Sequence, residues 1–250
     1  MRLIQFTDLH LAPEDSGQVR GVDTRDSFRR CLAHARRHSG PADAFLLTGD
    51  LVQDDPRGYH ALVEILGGET RPVHCMPGNH DLPDAMARVL DHAPFDLSPV
   101  LRYGGWTIVL LDSAIPGIHH GELRGDSLGF LDRTLARYSD THALVVLHHQ
   151  PVPVGSAWLD SIGLVDAGAL LEVVARHANV RGLLWGHVHQ AFDDVRDGVV
   201  LMATPSTCFQ FVPQRDDFAV DDRPPGYRRL DLLADGRIDT EVCWVPEECQ

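Results

Sequence analysis

Ten side chains able to donate nitrogen or oxygen to a metal, among them two Asp, one Asn and at least four His suited to be ligands, occur in five short segments. These are Asp8-Leu9-His10, Gly49-Asp50, Gly78-Asn79-His80-Asp81, His148-His149 and Gly186-His187-Val188-His189. Each segment follows an apolar, strand-like run. The set offers carboxylate, amide and imidazole donors and no thiolate, enough for two adjacent metal ions. A paired-metal site of this kind suits displacement at phosphorus. Asp8 and His10 are two residues apart just past a strand, so a tight turn can aim both at one ion. A carboxylate can place its two oxygens on two ions, and Asp50 is assigned that bridging role. Gly49 and Gly78 allow sharp turns before Asp50 and Asn79. The amide of Asn79 adds a donor without adding negative charge. His187 and His189 straddle Val188, so one can serve each ion. His80 is followed by Asp81, a carboxylate that can hold an imidazole's tautomer and favour its protonated form. His80 and Asp81 are therefore the expected catalytic pair, with His80 facing a phosphate oxygen.

The elements that must position these groups alternate in type. Leu3 to Thr7, Ala44 to Thr48, Pro72 to Met76, Trp106 to Leu111, Ala143 to Leu147 and Gly182 to Trp185 read as strands. Between them lie helical stripes: Phe28, Leu32 and Ala35 after a cap at Asp23 or Thr24; Tyr59, Leu62, Val63 and Leu66, ending at Gly67-Gly68; and Met86, Val89 and Leu90 after Pro83. Leu128, Leu131 and Leu135 form another stripe, and Leu170, Leu171 and Val174 another. Val199 to Ala203, Tyr227 to Leu233 and Ile238 to Trp244 make the last part strand-rich. Gln214 to Gly226 reads as an exposed loop, its acidic pairs at Asp216 and Asp221 a solvated face. Alternation of this kind predicts an α/β fold, in which ligands collect beyond the carboxyl ends of the strands. All five donor segments fall there.

Composition narrows the class. The 250 residues are 44% hydrophobic, which supports one domain spanning 1–250 with a proper core. A net charge of −14 argues against a nucleic-acid or membrane-surface partner. It does not exclude an anionic small substrate, because bound cations reverse the local field. The first residues lack a signal segment, and no run has the length of a membrane span. Cys31, Cys75, Cys208, Cys243 and Cys249 are scattered and odd in number, which points to a reduced, cytoplasmic setting. Cys208 reads as a small buried residue and His74 as a satisfied structural group. His34, His38, His60, His92, His142 and His177 read as solvated.

The ordered set D-x-H, G-D, G-N-H-D, H and G-H-x-H resembles that of the calcineurin-like metallophosphoesterase superfamily. The likeness extends to Ala203-Thr204-Pro205-Ser206-Thr207-Cys208, to Leu147-His148-His149 with Pro151-Val152-Pro153 and Ala157-Trp158-Leu159-Asp160 beyond it, and to His120-Gly121-Glu122-Leu123. These resemble bacterial class III 3′,5′-cyclic AMP phosphodiesterases over nearly the whole chain. The resemblance implies a four-layer sandwich of two mixed β-sheets flanked by helices. It implies one ion held by Asp8, His10, Asp50 and His189, and a second held by Asp50, Asn79, His148 and His187. An iron–manganese pair, or zinc, would occupy such sites. Asn79, His80, His149 and His120 would face substrate. Gln150 departs from the family pattern, and His148 is chosen as the ligand because it aligns with the first histidine of the family's pair. The implied reaction is in-line attack of a metal-bridging hydroxide on cyclic AMP, giving 5′-AMP, by a monomer or homodimer. A broader diesterase acting on glycerophosphodiesters or other nucleotide diesters, a nuclease, and a non-catalytic scaffold are the alternatives. The acidic charge counts against the nuclease, and the complete ligand set against the scaffold.

Overall fold

The structure, a computed structural model, describes residues 1–115 and 117–246. Cys249 lies outside the described residues. Two six-stranded sheets carry the fold. In the first, the order is Ile238–Trp244, Gly226–Leu232, Arg2–Phe6, Ala44–Thr48, Val73–Met76, Phe95–Asp96. In the second it is Phe192–Arg196, Val199–Ala203, Val180–Trp185, His142–Leu147, Trp106–Leu111, Val100–Tyr103. The four strands from Arg2–Phe6 to Phe95–Asp96 run parallel, as do the inner four of the second sheet. Antiparallel strands complete the sheets.

Side-chain alternation sorts the core into three layers. Leu3, Leu46 and Met76 of the first sheet meet Ile108, Leu110, Leu144, Val146, Leu184 and Met202 of the second. Their neighbours Ile4, Phe45 and Leu47 face the other way, against Phe28, Leu32, Tyr59, Leu62 and Met86 on helices. Val109, Val145 and Trp185 likewise face outward, against Leu131, Leu135, Leu170 and Val174. The strands are apolar on both faces because both faces are covered. Each fully buried Leu, Ile or Phe contributes about 1.5–3 kcal/mol. The result is the four-layer arrangement of helices, sheet, sheet and helices.

Local signals set the helix ends. Asp23 accepts the Asp26 N–H at 3.0 Å, which starts Thr24–His38. Pro83 opens Pro83–Val89, and Gly67 ends Gly58–Leu66. The strands Phe95–Asp96, Val100–Tyr103 and Phe192–Arg196 have no counterpart in the periodicity. All are sheet edges, short or polar, where a strand needs no apolar run. Within Gln214–Gly226, Val220–Asp221 pairs with Gln210–Phe211, so part of the expected loop closes a small hairpin.

Between the sheets, close to the strand ends, the apolar layer gives way to a polar seam. Gln5 donates to Thr48 Oγ1 at 2.8 Å and accepts from the Thr204 hydroxyl. Buried Arg228 donates to the Ala203 carbonyl at 2.7 Å and pairs with Asp193 at 2.7 Å. This seam ties the sheets together beneath the donor segments.

Candidate active site

The donor segments converge where the carboxyl ends of the parallel strands of the two sheets meet. Asp8 and His10 follow Arg2–Phe6, Asp50 follows Ala44–Thr48, and Asn79 follows Val73–Met76. His148 and His149 follow His142–Leu147, and His187 and His189 follow Val180–Trp185. Backbone bonds lock the turns together: the Asp8 N–H donates to Gly49 O at 3.0 Å and the His10 N–H to Asp50 O at 2.9 Å. The His187 N–H donates to the Asp8 carboxylate, 3.0 Å to Oδ2. Asp8, His10, Asp50, His187 and His189 all have left-handed backbone, with φ from 47° to 66°. Such conformations cost on the order of 1–3 kcal/mol outside glycine. Among the described residues, five of the nine non-glycine residues with positive φ are thus donor residues, so the strain is concentrated at the site.

The glycines have a sharper role than turning. Gly49, at φ 97°, lies against the His148 ring, and a Cβ there would also come within 2.9 Å of Gly78 Cα. At Gly78 a Cβ would collide with Asp50 and meet His148 Nε2 at 2.7 Å. Three segments pack so tightly that two of them have no room for a methyl group.

Among the described residues, four overlapping groups of three metal-type side chains each bring one donor atom per residue within 4.8 Å of the other two: Asp8, His10 and His189; Asp8, Asp50 and His148; His10, Asp50 and His80; and His148, His149 and His187. His10 Nε2 lies 3.1 Å from His189 Nε2, and His189 Nε2 lies 3.4 Å from Asp8 Oδ1. His148 Nε2 lies 3.4 Å from Asp50 Oδ1 and 3.9 Å from Asp8 Oδ1. Asn79 Oδ1, His148 Nε2 and His187 Nε2 are buried with no hydrogen-bond partner. An orphaned buried polar atom ordinarily costs about 1–3 kcal/mol. Three of them on segments that meet at the strand ends fit a bound cation, and the oxygen and nitrogen donors suit a hard or borderline metal.

Outer contacts orient these rings. His148 Nδ1–H donates to Thr48 O at 2.9 Å and His189 Nδ1–H to Phe209 O at 2.6 Å, which leaves each Nε2 lone pair inward. His149 differs. Its Nε2–H donates to His119 O at 3.2 Å and its Nδ1 accepts from the Ser113 hydroxyl at 2.9 Å, so neither nitrogen is available.

Burial and charge set the proton affinities. Burial pushes His10 down to about 4 and His187 to about 3, keeping both neutral. Burial would do the same to His148, but the Asp50 and Asp8 carboxylates carry it up to about 9. Burial pushes Asp8 and Asp50 upward; the neighbouring histidines outweigh it and hold both carboxylates below the usual range.

Asp81 does not touch the His80 ring. It accepts from Leu51 N–H at 3.1 Å, Gly78 N–H at 2.8 Å and the Tyr59 hydroxyl at 2.8 Å, which makes it an anchor of the loop. Burial and the Asp50 charge push it up to about 7 against those bonds. The carboxylate facing His80 is Asp54, whose oxygens lie 3.0 Å from Nδ1. Asp54 carried no spacing signal in the sequence. His80's own N–H donates to Asp50 Oδ1 at 2.9 Å.

A cavity of about 510 Å³ opens over the cluster, with His10, Asp50, Asn79, His80, His187 and His189 among its lining residues. His119 also lines it. His120, the expected contact, is half-buried in the same loop and is not among the lining residues. Of the other histidines, His34 bonds the Tyr227 hydroxyl at 3.0 Å and His177 meets Asp132 at 2.7 Å, so neither is simply solvated. His74 Nε2 bonds the Tyr103 hydroxyl at 2.6 Å, while its buried Nδ1 lies 3.0 Å from Asp96 Oδ2 without forming a hydrogen bond, so it is only partly satisfied; Cys208 is buried. No helix among the described residues is long and apolar enough to cross a membrane.

The chain is similar to known proteins in sequence and in fold. The sequence model of the calcineurin-like phosphoesterase family matches residues 1–191. The 3′,5′-cyclic adenosine monophosphate phosphodiesterase CpdA of Haemophilus influenzae is 40% identical over 244 residues, 97% of this chain and 89% of that protein. The proteins of the same name from Pseudomonas aeruginosa and Escherichia coli K12 are 39% and 41% identical over 246 residues, covering 98% and 97% of this chain and 90% and 89% of theirs. Among solved structures, a dimetal phosphatase from Danio rerio superposes with a TM-score of 0.65 at 15% identity, covering 98% of this chain and 99% of the other. GAP50 of Plasmodium does so with a TM-score of 0.69 at 11% identity, covering 99% and 85%. Those two likenesses concern the fold alone. The length of the family match and the identity to CpdA proteins over nearly the whole chain make this protein a member of the calcineurin-like phosphoesterase family.

Proposed function

We propose that the chain hydrolyses 3′,5′-cyclic AMP to 5′-AMP with a pair of metal ions. The substrate follows from the CpdA relatives, which match over nearly the full chain. The observation that carries the reading to this chain is the group of three orphaned, buried donors on Asn79, His148 and His187 beside the Asp8–His10–His189 cluster. One ion belongs to Asp8, His10, Asp50 and His189, and the other to Asp50, Asn79, His148 and His187. Iron and manganese are the pair we expect, with zinc permitted by the same donors. When bound, such a pair supplies an activated water near neutral pH and positive charge facing the phosphate oxygens.

The chain's own residues do the rest. Asp50 lies between the two groups and sets their separation. Asn79 adds a neutral donor, so the anionic phosphate meets less negative charge. His80 gives its Nδ1–H to Asp54 and presents Nε2 to the cavity, placed to protonate the leaving 3′ oxygen. Asp81 holds the 78–82 turn that carries both. His149 pins the His119 carbonyl and so shapes the loop beside the substrate. We place the protein in the reducing cytoplasm, where Cys31, Cys75, Cys208 and Cys243 would stay free thiols as they are here.

The test is a rate comparison of cyclic AMP, cyclic GMP and a synthetic diester at matched metal loading. Cyclic AMP should give 5′-AMP, and chelation should abolish turnover until manganese or iron is restored. Protein carrying two metals per chain that cleaves no diester would leave only a binding scaffold.

A further inference from the structure

The cavity has two chemically different ends. Next to the metal-type cluster stands a wall of aromatic rings from separate parts of the chain. The Phe211 ring stacks on His189 at 4.5 Å, and Phe218 meets Phe211 at 5.5 Å. Trp158 joins both, 4.8 Å from Phe211 and 5.2 Å from Phe218. The Arg20 guanidinium lies over Phe218 at 4.5 Å and Phe209 at 5.4 Å. All of these residues line the cavity. Phe218 is 45% exposed, an unusual state for a large apolar ring and one that leaves a face open. The Trp158 indole N–H is buried with no partner.

The wall is held in place. Gln210–Phe211 pairs with Val220–Asp221, and the Val212 N–H donates to Ala219 O at 2.9 Å, closing the hairpin that presents Phe218. The Trp158 backbone N–H donates to Asp216 O at 3.1 Å, tying that hairpin to the Ala157–Asp160 turn.

We propose that Trp158, Phe211 and Phe218, rimmed by Arg20, form the subsite for the nucleobase, and that they select nucleoside cyclic phosphates over diesters without a base. This rests on the cyclic-nucleotide reading above and adds its specificity element. A flat, uncharged base has two π faces and stacks on aromatic side chains whatever its sequence identity. The guanidinium and the indole N–H are donors, matched to the ring-nitrogen acceptors of a purine edge. Glycerophosphodiesters offer no surface for such a wall.

The test compares cyclic AMP with a base-free ribofuranose 3′,5′-cyclic phosphate bearing hydrogen at C1′, using metal-loaded protein. Wild type should favour cyclic AMP in kcat/KM by about 5- to 100-fold, the range stacking of one base supplies. Phe218→Ala should remove most of that advantage through KM, leave the base-free substrate within about twofold, and be rescued by Phe218→Tyr. Equal losses on both substrates, or no loss on cyclic AMP, would overturn the subsite. If wild type cleaves neither substrate, the proposed function falls and binding decides the subsite alone. In that case 5′-AMP should quench wild-type tryptophan emission but not that of Trp158→Phe, and ribose 5-phosphate should quench neither. Binding of 5′-AMP without quenching would overturn it.

Discussion

His80 meets Asp54, not its neighbour Asp81: both Asp54 oxygens lie 3.0 Å from His80 Nδ1. The Asp54 side chain is 63% exposed and that of His80 22%. Solvent screens such a pair, so its value is in aiming the ring more than in energy. Asp54→Ala should lower kcat by about 3- to 10-fold, with metal content unchanged and the deficit shrinking as salt rises. His80→Ala should lower kcat by about 10²- to 10⁴-fold and also retain both ions. His80 lies in one of the metal-type groups with His10 and Asp50. Metal analysis therefore decides its role: loss of an ion from His80→Ala would make it a ligand instead of a proton donor.

His148 and His149 are adjacent and both fully buried, yet only His148 has an unpartnered Nε2. Replacing His148 with Ala should remove one ion per chain at micromolar free metal. His149→Ala should keep both ions and raise KM, because the lost bond to the His119 carbonyl frees the loop at the cavity. Metal stoichiometry measured on the two variants separates them. Equal metal loss from both would mean that His149 is also in contact with an ion.

The strands that carry the donors were legible because their apolar runs are long, covered on both faces and ended by Asp, Asn or His. The donor set was legible because each member is tied to a strand end, where an α/β fold concentrates its ligand contacts. What escaped is what depends on loop direction. His119 and His120 are chemically alike and adjacent, and the His149 bond to the His119 carbonyl is not visible in spacing. Asp54 became the partner of His80 through a left-handed turn at φ 54°. The aromatic wall draws on residues 158, 211 and 218, a separation that no periodicity reports.

Metal uptake should depend on pH through His148. Its pKa in the metal-free protein stands at about 9, raised from the usual value near 6.5 by Asp50 and Asp8 against burial. The raised value means that the buried imidazolium stabilises the metal-free fold below about pH 6.5, and this is lost as pH rises through about 9. A metal must displace that proton. Apparent affinity at this site should rise by up to about tenfold per pH unit from pH 7 and level off above about 9. Chelator competition across this range measures the slope. Calorimetry in buffers of different ionisation enthalpy should show proton release on binding. A flat profile between pH 7 and 9 would rule out the proton on His148.

Asp81 should act on the loop and not on the proton. Its carboxylate gathers the Leu51 and Gly78 N–H groups and the Tyr59 hydroxyl, and that hydroxyl also accepts from the Leu82 N–H at 2.9 Å. Tyr59→Phe removes one donor and one acceptor in a buried place, which should cost about 1–3 kcal/mol. For a chain of this size that lowers Tm by about 2–12 °C. Asp81→Asn turns an amide N–H₂ toward backbone donors, so it should destabilise comparably and weaken metal retention by displacing the 78–82 turn. Neither change should alter the shape of the kcat–pH profile, because Asp81 contacts neither the His80 ring nor the cavity. Thermal melts, metal content and the pH profile of both variants test this together. Loss of one limb of that profile in Asp81→Asn, with Tm and metal content intact, would return Asp81 to the proton-transfer chain.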